Sequence, residues 1–223
     1  IPGLYAIGEA NFSDHGGNRL GASALMQGLA DGYFILPITI GDYLSKKFAE
    51  PKTDVTTKES VQAEKDVQAR IDRLFAIKGT KTVDSIHKKL GNIMWDNVGM
   101  ARDEKGLKKA IKEIQALKED FYKNVNVPGS QYEFNQELEK ALRLEDFFEI
   151  GELMARDALN REESCGGHFR VESQTEEGEA KRDDAKFMYV AAWEYKGEGV
   201  EPELHKEPLK YEFIEVKTRN YKE

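Results

Sequence analysis

The stretch Asp103-Glu104-Lys105-Gly106-Leu107-Lys108-Lys109-Ala110-Ile111-Lys112-Glu113-Ile114-Gln115-Ala116-Leu117 decides the fold class. Leu107, Ala110, Ile111, Ile114 and Leu117 recur at threes and fours, which puts them on one face of an α-helix with lysines and glutamates opposite. Asp103 stands where a carboxylate can cap the first-turn N–H groups. Immediately upstream, Thr82 starts a helix in which Val83, Ile86, Leu90 and Ile93 share a face. Further back, Thr56 and Glu59 have capping-box spacing, Val67, Ile71, Leu74 and Phe75 follow at helical period, and Gly79 is expected to close that helix. Downstream, a loop containing Pro128-Gly129 leads to Asn135, the expected N-cap of a long helix through Leu138, Leu142, Phe148, Met154 and Leu159. Each of these helices must bury one apolar stripe against the others, so the centre of the chain is expected to be an antiparallel helical bundle.

The flanks differ. Leu4-Tyr5-Ala6-Ile7 is a short apolar run between glycines, expected to be a buried strand that Gly8 lets turn sharply. A loop follows as far as Gly17, and from Gly21 onward Ala22, Ala24, Leu25, Met26 and Leu29 predict a closely packed helix. At the other end, residues 186–195 and 209–216 are rich in aromatic and β-branched side chains and are separated by Gly197, Gly199 and Pro202, which predicts two strands joined by a loop. The fold class is therefore mainly α, with a strand, loop and helix first and a small β tail last.

Composition excludes several classes of function. The 223 residues are 39% hydrophobic, enough for a real core, and 41 acidic against 33 basic side chains give a net charge of -8. That charge repels phosphate backbones, so nucleic acid is not an expected partner. A single cysteine, Cys165, allows neither an intrachain disulfide nor a zinc cluster, and no metal ligands are assigned. The most apolar run, Tyr33-Phe34-Ile35-Leu36-Pro37-Ile38-Thr39-Ile40, is far shorter than the roughly 20 residues that cross a bilayer, and Pro37 interrupts it. The start at Ile1-Pro2-Gly3 reads as a cut inside a longer protein, with no secretory leader.

Gly3-Leu4-Tyr5-Ala6-Ile7-Gly8-Glu9-Ala10, followed by His15-Gly16-Gly17-Asn18-Arg19-Leu20-Gly21-Ala22-Ser23-Ala24-Leu25, resembles the C-terminal flavin-and-substrate signature of the succinate dehydrogenase and fumarate reductase flavoprotein subunits. In that family a strand ends in Gly-Glu, a variable loop intervenes, and His-Gly-x-Asn-Arg-Leu-Gly-x-x-Ser-Leu follows. The resemblance implies that Glu9 meets the ribose of FAD, where a carboxylate can accept from two hydroxyls, or else is a solvated loop acid. It implies that Arg19 grips a carboxylate of succinate or fumarate, for which a guanidinium offers a rigid, permanently charged fork; the alternative is a surface cation. It sets the cofactor-binding positions Ser23, Ala24 and Leu25 against the flavin at a helix start, by backbone alone at Ala24, where the family's usual serine is replaced. His15 either shapes the loop beside the site or satisfies a local hydrogen bond.

A second resemblance lies at Glu162-Glu163-Ser164-Cys165-Gly166-Gly167-His168-Phe169-Arg170, followed by Arg182-Asp183-Asp184. Family members commonly carry Glu-Ser-Arg-Gly-Ala-His-x-Arg at the end of the last bundle helix, so Cys165 stands in place of an arginine. The segment is expected to be a structural turn that docks the bundle onto the flavin domain. The implied division is a C-terminal piece of the FAD-binding domain over 1–50, a helical bundle over 51–162, and a loop with a β tail over 163–223. The implied activity of the intact subunit is interconversion of succinate and fumarate through FAD. Electrons would pass to an iron-sulfur subunit and a membrane anchor subunit, with the flavoprotein peripheral on the cytoplasmic side of the inner membrane. No Gly-x-Gly-x-x-Gly follows a strand, so the pyrophosphate cradle is expected outside this chain and the chain alone is expected to be inactive. Two alternatives stay open, an L-aspartate oxidase-like flavoenzyme and a non-catalytic helical interaction module. The long tail after His168 favours the dehydrogenase or reductase over the oxidase.

Overall fold

The structure, a computed structural model, describes residues 3–11, 15, 17, 19, 21–52 and 54–217. Four long helices form the bundle: α3 (Lys58–Ala76), α4 (Val83–Val98), α5 (Glu104–Asn124) and α6 (Gln136–Asn160). Ahead of them lie α1 (Ser23–Ala30) and α2 (Leu36–Ser45), joined without a break by a π-helical turn, Asp31–Ile35. Two-residue strands β1 (Lys81–Thr82) and β2 (Val125–Asn126) pair in parallel beside the bundle. After α6 come the short α7 (Asp184–Phe187) and a hairpin of β3 (Tyr189–Glu194) and β4 (Glu203–Pro208).

The helix starts follow their caps. Thr82 Oγ1 accepts from Ser85 N–H, Asp103 Oδ1 from Gly106 N–H at 2.7 Å, and Asn135 Oδ1 from Leu138 N–H at 3.0 Å. At α3 the cap is Thr57, not Thr56, and it accepts from Ser60 N–H. Thr56 is held outside the helix because its own N–H donates to Asp54 Oδ1 in an Asx turn.

The core is a single cluster in which Leu74, Ile86, Leu107, Ile114, Phe121 and Phe148 are fully enclosed. The Phe121 and Phe148 rings meet at 5.6 Å between centroids. Along α6 the predicted stripe is only partly right. Met154 is exposed, and Ala141, Leu144, Phe148, Ala155 and Ala158 form the buried face, with Gly151 admitting Met94 from α4 and Ile114 from α5. Helix α6 meets α3, α4 and α5, so no single stripe describes it. Helix α3 is the loosest member, with Val67 solvent-facing and Leu74 its only fully enclosed residue. A buried carboxylate ties it down: Glu145 on α6 accepts from Arg70 at 2.7 Å and Arg73 at 2.6 Å.

Three sequence-based expectations are corrected. Residues 4–7 form no strand: Leu4, Tyr5 and Ile7 are exposed, and among the described residues no neighbouring strand takes up their backbone. The second tail strand is Glu203–Pro208, not 209–216, because the register is set by pairing with β3, Trp193 opposite Leu204 and Glu194 opposite Glu203. Its polar sequence hides it from a pattern search. Gly79 does not end a helix, since α3 stops at Ala76. It is required because a Cβ there would lie 1.9 Å from Asn124 O, where the chain passes beneath the end of α5.

The end of α6 is closed by residues from the second motif. Buried Arg170 donates from Nη1 to the carbonyls of Ala158 at 2.9 Å and Leu159 at 3.2 Å, satisfying last-turn acceptors and countering the negative end of the helix dipole. Arg102 likewise donates from Nε to Val98 O and Gly99 O at the end of α4. His168 joins the two caps: its Nε2–H donates to Arg161 O at 2.9 Å, and Nδ1 accepts from Arg102 Nη1 at 2.7 Å. Burial, reinforced by the positive charges of Arg102, Arg170 and Arg161, holds the imidazole pKa below its ordinary value. Ser164 Oγ accepts from Arg170 N–H at 2.8 Å, and Glu163 takes Arg161 at 2.8 Å and the Asp183 N–H at 2.8 Å, which fastens the tail to the same junction.

Two outcomes are expected. Gly79→Ala should lower unfolding stability by about 1–3 kcal/mol in denaturant titrations, the usual range for an overpacked site. For His168 the folded state favours the neutral ring, so the unfolded chain binds its proton first as pH falls. That contribution to stability is full above about pH 6.5, the ordinary histidine value, and is lost as pH falls through the depressed folded-state pKa. The melting-temperature difference between wild type and His168→Gln should therefore shrink on acidification from pH 7.5; a difference independent of pH would contradict it.

Candidate functional site

The first motif folds into a turn laid across α1. Gly8 opens a 3₁₀ turn, Gly8–Ala10, with φ +60, where a side chain would be strained. A Cβ at Gly8 would also meet Gly28 Cα at 3.4 Å, an ordinary contact distance, so the turn lies close against the helix there and the positive φ is what favours glycine at position 8. Two polar anchors hold it: Gly8 N–H donates to Asp31 Oδ2 at 2.7 Å, and Gln27 Nε2 donates to Asn11 O at 2.9 Å. Gln27 is buried, and its Oε1 accepts no hydrogen bond from the described residues. Neither Asp31 nor Gln27 was singled out from the sequence. Gln27 could have been noticed as a polar residue within an apolar helix, whereas Asp31 gives no local sign of its contact with Gly8.

The structure brings Glu9 and Arg19 together, with Oε1 and Nε 4.0 Å apart and both side chains open to solvent. Ala22 precedes α1 in the left-handed region at φ 64, which is unusual for a residue with a Cβ, and gives the helix no side-chain cap. Ser23 and Ala24 are half-buried and Leu25 is exposed. The arrangement thus sets an acid beside a guanidinium on a glycine-rich bend, with the acid's turn anchored at Gln27 and Asp31. Such a pair can accept from hydroxyl groups through the carboxylate and hold an anionic group through the guanidinium. His15 is buried, while Gly16, Asn18 and Leu20 of the motif lie outside the described residues.

The two motifs touch. Gly167 N–H donates to Gly17 O at 3.3 Å, and a Cβ on Gly17 would come within 3.0 Å of Cys165 Sγ. Burial pushes the Cys165 thiol pKa up, aided by the nearby Glu163 carboxylate, so it is not an activated thiolate. The trio Glu194, Glu203 and His205 on the hairpin has ligand atoms close enough for a metal ion, but Lys196 bonds both carboxylates at 2.9 and 2.7 Å. Among the described residues no helix is long and apolar enough to cross a membrane.

A family model described as the fumarate reductase flavoprotein C-terminal region matches residues 87–221. The fumarate reductase flavoprotein subunit of Haemophilus influenzae is 29% identical over 94% of this chain, which covers 33% of that protein. The succinate dehydrogenase flavoprotein subunit of Bacillus subtilis is 27% identical over 99% of this chain and 36% of its own length. The chain therefore spans about a third of the length of these curated relatives. Among solved structures, the Mycobacterium smegmatis Sdh1 complex in the apo form superimposes with a TM-score of 0.76 at 26% identity, covering 94% of this chain and 33% of that one. A quinol-fumarate reductase structure containing menaquinol molecules superimposes at 0.78 with 24% identity over 96% of this chain and 35% of its own, a likeness of fold. Since the family model spans more than half of the chain and continues from the bundle through the tail, this chain belongs to the succinate dehydrogenase and fumarate reductase flavoprotein family, as its C-terminal part.

Proposed function

We propose that the intact subunit interconverts succinate and fumarate, and that this chain contributes the carboxylate grip and one wall of the flavin site. The observation that carries the reading is the juxtaposition of Glu9 and Arg19 before the N-terminus of α1. Bound FAD would supply the two-electron acceptor or donor for the carbon–carbon bond. Glu9 would hold it by accepting from ribose hydroxyls, and the backbone at Ser23, Ala24 and Leu25 would lie against it, favoured by the positive end of the helix dipole. Arg19 would leave Glu9 for a substrate carboxylate, orient the diacid, and stabilise charge that develops on it during reaction. Its exposed position supports that exchange, because a solvated pair at 4.0 Å is weakly held.

The division into a flavin-domain piece over 1–50, a bundle over 51–162 and a β tail over 163–223 belongs to the same reading. The rest of the subunit would cover the apolar side chains that the first segment leaves in water. Leu25, Met26, Tyr33, Phe34 and Ile38 are each 67–74% exposed, far more than a terminal helix pair needs for its own folding. Electrons would then pass to an iron-sulfur subunit and a membrane anchor, leaving this subunit peripheral on the cytoplasmic face. By itself the chain would be inactive, having only part of the flavin contacts.

In the complete subunit, Arg19→Ala should reduce succinate and fumarate turnover by roughly 10²–10³-fold, the cost typical of removing one charge-stabilising group, while flavin content and melting temperature stay near wild type. Unchanged turnover would exclude the assignment, and turnover of aspartate in preference to succinate would favour the oxidase reading. The isolated 223-residue chain should purify without the yellow flavin absorbance; a stoichiometric flavin complex would refute its expected inactivity.

A further inference from the structure

A second concave site lies away from the Glu9–Arg19 bend, between α5, α6 and the loop that joins β3 to β4. Its volume is about 470 Å³, within the range of small-molecule sites. The loop carries Gly197 and Gly199 in left-handed conformations and bends back over the two helices. On the floor, Lys118 of α5 pairs with Glu149 of α6, and Arg156 pairs with Glu152 at 2.8 Å, so each of these largely buried cations already has a helix carboxylate. The loop then adds two acids: Glu201 also bonds Arg156, and Glu198 stands 4.0 Å from Lys118. Glu119 on the rim is paired with Lys123 at 3.2 Å, which leaves four carboxylates, Glu149, Glu152, Glu198 and Glu201, against the two floor cations, an excess of negative charge in a partly enclosed space.

Three aromatic residues line the same hollow: Tyr122, whose ring already carries the Arg73 guanidinium 4.5 Å from its centroid, and Trp193 and Tyr195, which are the rings left for a guest. Trp193 is fixed by its indole N–H, which donates to Asp157 Oδ1 at 2.8 Å. Ring faces and surplus carboxylates together attract one kind of guest, a positive charge on an apolar or aromatic body. An anion would have to displace glutamates that already neutralise both floor cations. From this geometry we propose that the hollow binds a small organic cation, an alkylammonium, amidinium or guanidinium compound. The loop Glu198 and Glu201 would receive its charge and the aromatic residues would pack against its body. The site shares no residue with the flavin and dicarboxylate contacts, so it stands or falls separately from them.

Benzamidine serves as the probe, and isothermal titration calorimetry of the complete subunit at low ionic strength as the measurement. One saturable site is expected, weakened about tenfold in the Glu198→Gln/Glu201→Gln double variant, and weakened again by added salt. Benzoate should give no saturable heat. Glu198 and Glu201 are exposed loop residues, so the double variant should melt as wild type does; Trp193→Leu, which removes ring contact without changing charge, provides an independent loss of binding. Absence of saturable benzamidine binding, binding indifferent to both variants, or benzoate binding in its place would each overturn the proposal.

Discussion

The guanidinium of Arg170 on the last carbonyls of α6 is the contact on which the rest of this molecule depends. A helix of 25 residues ends there with acceptors that burial would otherwise leave unsatisfied. The same residue donates its N–H to Ser164 and lies in a bridge beside Arg102, whose side chain closes α4. One buried cation thereby connects two helix ends to the turn that follows them. The neutral His168 between Arg102 and the Arg161 carbonyl keeps that concentration of positive charge from growing.

From this junction the structure reaches both flanks. In one direction Arg161 donates to the carbonyls of Phe187 and Tyr189, with its guanidinium over both rings, and so seats the β hairpin on the bundle. In the other, the Cys165–Gly167 turn meets Gly17, in the loop that also carries Arg19. A family pattern with arginine where Cys165 stands would put a bulkier, charged group there; the thiol fits beneath Gly17 with no room to spare. The clamp at the end of the bundle is therefore also the ground on which the proposed substrate loop rests.

Much of the fold was legible from residues alone. Thr82, Asp103 and Asn135 cap the helices they were expected to cap, and Leu107, Ala110, Ile114 and Leu117 are buried as their spacing predicts. Of the candidate site, the structure shows Glu9 and Arg19 side by side, residues that the sequence motif picks out. The anchors of that site could not be read in this way. Asp31 reaches Gly8 across 23 positions, and no periodicity records such a contact. Thr57 caps α3 in place of Thr56, whose N–H is taken by Asp54, and the polar strand β4 became visible only through its pairing with β3.

What the amino-acid sequence determined by itself was most of what is settled within about one turn of chain: the caps of α4, α5 and α6, their amphipathic faces, and the sharp bend at Gly8. These depend on hydrogen bonds and side-chain neighbours three or four residues apart, which are written directly in residue order. Only the tertiary structure decided which glycine lies beneath Asn124, which carboxylate draws Arg70 and Arg73 to α6, and which turn supports Gly17. Those partners are distant along the chain, and each is selected by close packing and by the cost of leaving a buried charge or carbonyl unpaired.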